Sequence, residues 1–223
     1  MTEAEWLACD DPRPLFFAFV GRYSRRKVLL FSVAGCAECQ VRFTDERCWS
    51  ALEVVERFAD GLALPGEVDF AVTAADEARR SAYNTPEWSP GLRRMRRCST
   101  EAACALLAAV GHANSRASFA SAVDAVEFAR QGVKGGKSAQ ARLLRDVFGN
   151  PFRPAPFPPS WLTSDVQALA RGIYEERAFD RLSILADALQ DTGCDNADIL
   201  DHCRGSGPHV RGCWVVDLVL GKQ

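Results

Sequence analysis

The stretch "HCRGSGPHVRGCWVVDLVLG" (residues 202–221) decides the fold of this chain of 223 residues. Gly205 and Gly207 interrupt the chain, and Pro208 suits the first turn of a helix because no hydrogen bond is lost there. The residues that follow are apolar on nearly every face of a helix, and such a helix must be covered by neighbours on all sides. The sequence therefore predicts a helix over 208–220 in the centre of a helical bundle.

The rest of the chain shows capping residues and apolar side chains at helical spacing, and strand-type alternation is nowhere convincing. We therefore expect an all-α fold, a bundle of about ten to twelve helices. Residues 62–72 are expected to form a loop, or at most a short strand at "VDFAV". Besides short helices near Thr2 and Pro14, the predicted helices are about 24–43, 45–61, 73–84, 99–113, 118–131, 138–148, 164–178, 180–192 and 196–203.

The chain length suits a single helical domain, 1–223, and a division into two helical subdomains is the alternative. The subdomains would span about 1–83 and 99–223, joined by an irregular segment at 84–98.

A second irregular segment, "NPFRPAPFPPSW" (150–161), carries five prolines and cannot be a helix or a central strand. Its side chains Phe152, Phe157 and Trp161 are too apolar for a free linker, so we predict an ordered belt.

Composition favours a globular protein, since 48% of the residues are hydrophobic and 25% are charged. The net charge of −2 gives no general attraction to nucleic acid or to an anionic membrane. Nine cysteines at irregular spacing, an odd number, predict buried free thiols in a reducing compartment.

The stretch "RRKVLLFSVAGC" (25–36) imitates a bacterial lipoprotein signal, but its apolar part is short and begins after more than twenty residues. It is equally typical of a buried helix, which we favour. No run approaches the ~18 apolar residues that span a bilayer, so we predict a cytoplasmic protein without a membrane partner.

The opening stretch also contains groups that bind metals: His202, Cys203, His209 and Cys213. Structural zinc takes four Cys or His ligands, often as two closely spaced pairs. His202 and Cys203 are adjacent and cannot easily face one ion, so the candidate ligands are Cys36 and Cys39 of "CAEC" with His209 and Cys213, spaced i, i+4.

However, the pattern places "CAEC" in the middle of a helix, whereas zinc knuckles place CxxC at a turn. We therefore expect no metal and no other cofactor, with the sulfur atoms serving as apolar filler.

Asp217 lies on an inward-facing stripe of the last predicted helix. A buried carboxylate needs a partner, and Arg177 or Arg181 on a neighbouring helix would form a structural ion pair with it. Of these two partners, we predict Arg177 for Asp217.

One basic patch stands out, formed by Arg93, Arg94, Arg96 and Arg97 in "RRMRRC". It could contact phosphates, but such runs are usually a solvated face. Because the sequence has neither a recognition helix nor a zinc module, we do not expect nucleic-acid binding. No cysteine has the setting that lowers a thiol pKa, so we predict no catalytic residue.

Five blocks of the sequence support a resemblance to a known family: "TEAEWLACDDPRPL", "TDERCWSALEVVERFADG", "LLRDVFGNPFRP", "ERAFDRLSILADALQDTGC" and "HCRGSGPHVRGCWVVDLVLGK". In these blocks, which cover about 1–61 and 143–223, the chain resembles a paralogous protein family of planctomycete bacteria. Family members typically carry a Cys-rich, Arg-containing run at 32–40, where this chain has "SVAGCAECQ". The resemblance implies a shared fold without implying an activity.

From the sequence we therefore expect a non-catalytic cytoplasmic module that binds another protein. A zinc-stabilised or nucleic-acid-binding regulator is the first alternative. An enzyme of unrecognised type is the second.

Overall fold

A computed structural model describes residues 1–17, 24–38, 45–84, 90–111, 121, 123–127 and 136–222. Within these ranges the protein is all-α, as predicted, and has no strand. The helices are α1 (Glu3–Ala8), α2 (Pro12–Phe17), α3 (Arg25–Ala37), α4 (Glu46–Ala59), α5 (Pro65–Asn84), α6 (Pro90–Gly111), α7 (Gly136–Phe148), α8 (Ser164–Glu176), α9 (Leu182–Asp191), α10 (Ala197–Arg204) and α11 (Trp214–Leu220). Single 3-10 turns lie at Pro159–Trp161 and Phe179–Arg181, and 123–127 are also helical.

The chain divides into two compact units, residues 16–137 and residues 1–15 together with 138–223. This division differs from the expected boundary within 84–98. The expected irregular segment is helical from Pro90 onward, because α6 begins there. Residues 62–72 also differ from expectation: α5 begins at Pro65 and contains "VDFAV", so no strand forms.

The unit of residues 16–137 packs α3, α4, α5 and α6 against one another. The stretch that imitates a lipoprotein signal is α3, and its residues 28–36 are all buried, as the helical interpretation predicted. Ser24 and Asp45 cap the N-termini of α3 and α4, each accepting a backbone N–H with its side chain. Arg26 on α3 donates to Asp60 at the end of α4 at 2.8 Å.

The second unit begins with α1, which Thr2 and Glu5 close at its N-terminus by a capping box. The side chain of Trp6 is buried. Arg145 on α7 donates to the carbonyl oxygens of Trp6 and Cys9, and this fastens α1 to α7.

The C-terminal part of this unit, which we call the C-terminal group (residues 161–222), has a continuous hydrophobic core from Trp161 to Val219. Its elements are α8 to α11 with the second 3-10 turn. Ahead of it, the Pro-rich segment is ordered by contacts such as the edge-to-face packing of Phe157 on Trp161 at 5.5 Å.

The last helix lies in this core as predicted, because Val215, Val216 and Val219 are buried. Its start was predicted wrongly. The helix begins at Trp214 and not at Pro208, and Gly212 ahead of it has a φ of 92°, a left-handed conformation that interrupts a helix. Residues 205–213 form a loop, which changes what His209 and Cys213 can do.

None of the helices among the described residues combines the length and the apolar character needed to cross a lipid bilayer.

Candidate metal centre

Four side chains of the second unit bring one donor atom each to a common point. They are Asp146 near the end of α7, His202 in the last turn of α10, and His209 and Cys213 in the loop between α10 and α11. All four donor atoms lie within 4.8 Å of one another. A carboxylate oxygen, two imidazole nitrogens and a thiol sulfur therefore surround a single position.

Local sequence explains why the loop turns back towards α10. Gly205 ends that helix, and a Cβ there would lie 3.2 Å from the carbonyl oxygen of Asp201, so a larger residue would be crowded. The left-handed Gly212 then directs the chain into α11, which begins directly after Cys213. The two turns bring His209 and Cys213 back over His202.

The distances within the cluster resemble the edges of a zinc tetrahedron. His209 Nδ1 lies 2.7 Å from Asp146 Oδ1, and His202 Nε2 lies 3.2 Å from that oxygen and 3.2 Å from Cys213 Sγ. For zinc–ligand bonds of about 2.0–2.3 Å, a regular tetrahedron places its ligand atoms about 3.3–3.8 Å apart. The Asp146–His209 contact is shorter than such an edge, and the separations of the donors extend up to 4.8 Å, so some donors would move apart and others closer together to complete such a site.

The cluster is largely buried. The side chain of Asp146 is 3% exposed, His209 9% and His202 17%, and Cys213 is fully buried. A cavity of about 400 Å³ opens nearby, between the start of α9 and the 205–207 loop, but His209 is the one donor that lines it. The other three donors do not reach that cavity.

Electrostatics within the cluster favour an ionised carboxylate and a protonated thiol when no ion is bound. Burial opposes the ionisation of Asp146, but hydrogen bonds with His202 and His209 outweigh it and lower its pKa. Burial also opposes a charged His209, yet the hydrogen bond to Asp146 raises the pKa of this imidazole. Burial, reinforced by the negative charge of Asp146, raises the pKa of Cys213 well above its ordinary value.

Neighbouring groups hold the donors in place. The second oxygen of Asp146 accepts the backbone N–H of Val210 at 3.0 Å, and His209 Nε2 lies 3.3 Å from the carbonyl oxygen of Gly205. The ring of Trp214 packs 5.2 Å from that of His202. Such outer contacts orient the ligands of metal sites and set the tautomers of their histidines.

The arrangement does not fit a Cys-His-Asp catalytic triad. In a triad, the two ring nitrogens of the histidine point to different partners, one to the nucleophile and one to the acid. Here Cys213 and Asp146 both approach the same nitrogen, Nε2 of His202. Donors that converge on one point fit a metal ion instead, and the buried thiol with a raised pKa is a poor free nucleophile.

Of the four candidate ligands named from the sequence, the structure brings two, His209 and Cys213, into one cluster. Cys36 lies in the other unit, where its buried thiol donates to the carbonyl of Ala125 at 3.7 Å. Because α3 ends at Ala37, Cys36 lies at the end of this helix, and the prediction that "CAEC" lies in the middle of a helix was wrong. The Cys36 side chain is fully buried. Cys39 lies outside the described residues.

Sequence reasoning missed Asp146 and set His202 aside. The argument that His202 and Cys203 cannot both face one ion agrees with the structure: His202 joins the cluster and Cys203 packs in the hydrophobic core. Burial raises the pKa of Cys203 to about 12. The one signal for Asp146 was an acid near the end of an amphipathic helix, which is too common to single it out.

The basic patch lies in the first turns of α6. Arg93 is exposed, Arg96 is half-buried, and Arg97 is half-buried with its guanidinium 4.3 Å from the ring centre of Tyr83. The side chain of Arg94 lies outside the described residues. The patch is therefore partly engaged within its own unit.

Asp217 is buried, as its place on the inward stripe predicted. Arg177 is exposed and ends α8 in a left-handed conformation with a φ of 55°. The ion pair between them stays a prediction.

The sequence matches no protein-family model, and comparison with curated proteins and with solved structures finds no significant match. The chemistry of the site is therefore inferred from its own geometry.

Proposed function

We propose that this protein binds one zinc ion through Asp146, His202, His209 and Cys213, and that the ion stabilises a non-catalytic helical module. The observation that carries the proposal is the convergence of four donor atoms, all within 4.8 Å of one another, in a largely buried site. The wider role is the one expected from the sequence, a module that binds another protein.

The donor set favours zinc over the common alternatives. Calcium and magnesium prefer all-oxygen surroundings, whereas zinc accepts thiolate, imidazole and carboxylate in one tetrahedron. Two nitrogens, one oxygen and one sulfur are offered here.

The closure of the site favours a structural ion. Catalytic zinc keeps one position for water or substrate beside three protein ligands, whereas structural zinc has four. Four donors are present, and the most exposed of their side chains, His202, is only 17% exposed. A substrate would find no open position on the ion.

Metal analysis of the purified full chain tests the proposal. We expect about one zinc per chain, and near-complete loss of it in Cys213→Ser and in His209→Ala. Cys203→Ser is the matched control, because Cys203 is also buried and lies beside His202 in the chain but packs in the hydrophobic core. It should retain zinc.

Cobalt substitution gives an independent measurement. Cobalt(II) in the site should show tetrahedral ligand-field bands and a thiolate charge-transfer band, and Cys213→Ser should lack the second. A chain that binds neither zinc nor cobalt when purified without chelator would overturn the proposal, as would equal zinc content in the Cys213 and Cys203 variants.

A further inference from the structure

We infer that the ion acts as a clasp: through Asp146 it joins α7 to the C-terminal group, which supplies the other three donors. This inference rests on the proposed zinc site and adds what the ion controls, namely whether α7 and the C-terminal group stay docked.

The first step is that the C-terminal group has a core of its own. Its buried cluster runs from Trp161 to Val219, and the partly buried side chains packed against it begin at Ala155. The buried apolar side chains of α7, Leu143, Leu144 and Val147, do not belong to that cluster. The hydrophobic effect therefore holds the C-terminal group together without α7.

The second step is that α7 has an anchor elsewhere. Arg145 donates to the carbonyl oxygens of Trp6 at 2.5 Å and Cys9 at 2.6 Å, and its guanidinium lies over the Trp6 ring. Directly after α7, Asn150 donates to Glu3 at 2.7 Å. These bonds tie α7 to α1 and do not involve the C-terminal group.

The third step concerns the junction. Asp146 reaches from α7 into the C-terminal group, where its two oxygens contact His202, His209 and the backbone N–H of Val210. The other contacts across the junction include the Trp214 ring over Gly149 and an ion pair of Arg153 with Asp198 at 3.9 Å. That ion pair is about half exposed, and pairs of this kind add little stability.

The bond between Asp146 and the ion would be the coordinate bond that crosses this junction, and it would hold α7 more strongly than the hydrogen bonds of Asp146 that remain without the ion. A hydrogen bond is exchanged for bonds to water when the junction opens, so its net contribution is small. Without zinc, we therefore expect the junction to open locally while the core of the C-terminal group and the bonds between α7 and α1 persist.

Hydrogen exchange of the full chain, followed by mass spectrometry with and without zinc, tests the clasp. After zinc is removed with a chelator, amides of 142–148 and 205–213 should exchange at least about tenfold faster. Amides of α8 and α9 should keep their protection. Zinc content is measured on the same samples.

Each other outcome has a distinct meaning. Equal loss of protection in α8 and α9 would overturn the clasp, because the ion would then hold the whole C-terminal group together. Unchanged exchange after zinc has left would also overturn it, although zinc binding itself would stand. A chain that never binds zinc would overturn the proposed function and the clasp together.

A variant separates the two roles of Asp146. Asp146→Asn removes the ligand on α7 and leaves the three donors of the C-terminal group, so 142–148 should exchange about as fast as in the zinc-free chain. Asp198→Asn, which removes the half-exposed ion pair with Arg153, is the control and should behave like the unaltered protein. Protection of 142–148 in Asp146→Asn equal to that of the zinc-loaded chain would refute the clasp.

Discussion

Zinc binding should release the thiol proton of Cys213, and this release should make the affinity depend on pH. Burial and the nearby charge of Asp146 hold the pKa of this thiol well above its ordinary value, so the metal-free protein keeps the proton through neutral pH. Zinc binds the thiolate. Because the metal-free form holds one more proton than the zinc-bound form, raising the pH favours binding.

The magnitude follows from the count of protons. One proton per ion corresponds to a tenfold gain in affinity, about 1.4 kcal/mol, for each unit of pH up to the pKa of the metal-free thiol. The pKa of Asp146 is lowered, so this group has no proton to release. The pKa of His209 is raised, so the dependence should be steeper near neutral pH, where this imidazole is still partly charged.

Calorimetric titration of the metal-free chain with zinc measures the proton count directly. Titrations at about pH 8.5 in two buffers that differ in ionisation enthalpy should give about one proton released per ion. Cys203→Ser should give the same number, because that thiol is not a ligand. Zinc binding without proton release, and with an affinity indifferent to pH above neutral, would show that Cys213 does not coordinate the ion.

Two further predictions concern stability, measured by denaturant unfolding. Gly149→Ala should lower the free energy of unfolding by about 1–2 kcal/mol, because the residue has a φ of 68°. It should lose a further amount of about 1–3 kcal/mol because the new Cβ would lie 3.1 Å from the Trp214 ring. Gly193→Ala, with a φ of 90° and open space around it, should show the first cost alone, and equal losses in both variants would contradict the packing argument. Asp60→Ala should lower the free energy of unfolding by about 3 kcal/mol, because it removes the carboxylate that Arg26 contacts and the Arg26 side chain is only 12% exposed. A loss below about 1 kcal/mol would argue against a buried ion pair.

Most helices were predictable because their signals are local. Side-chain caps such as Thr2 and Ser24 mark helix starts, and apolar side chains at helical spacing mark the buried faces. The start of the last helix was predicted wrongly because Pro208 permits a helix start but does not require one. Gly212, four residues later, has a left-handed conformation that a helix cannot include, so the helix begins only at Trp214.

The start of α5 was missed for a related reason. Leu64 and Pro65 lie in a stretch with few charges and little periodicity, so the sequence suggested a loop. In the structure, Glu67 accepts the backbone N–H of Leu64 and closes the N-terminus of the helix. The helix begins about two turns before the predicted start at 73.

The sequence by itself determined an all-helical chain and the burial of its last helix, since both follow from residue spacing within a few turns. It also placed His202, His209 and Cys213 close together along the chain. Only the tertiary structure decided which donors meet. The helix α7 places Asp146, which lies 63 residues before His209 in the chain, beside the histidines. The loop after Gly205 places His209 and Cys213 beside His202 and not beside Cys203. The physical reason is that a metal site depends on where side chains point in space, and helix packing sets those directions at separations that no local pattern records.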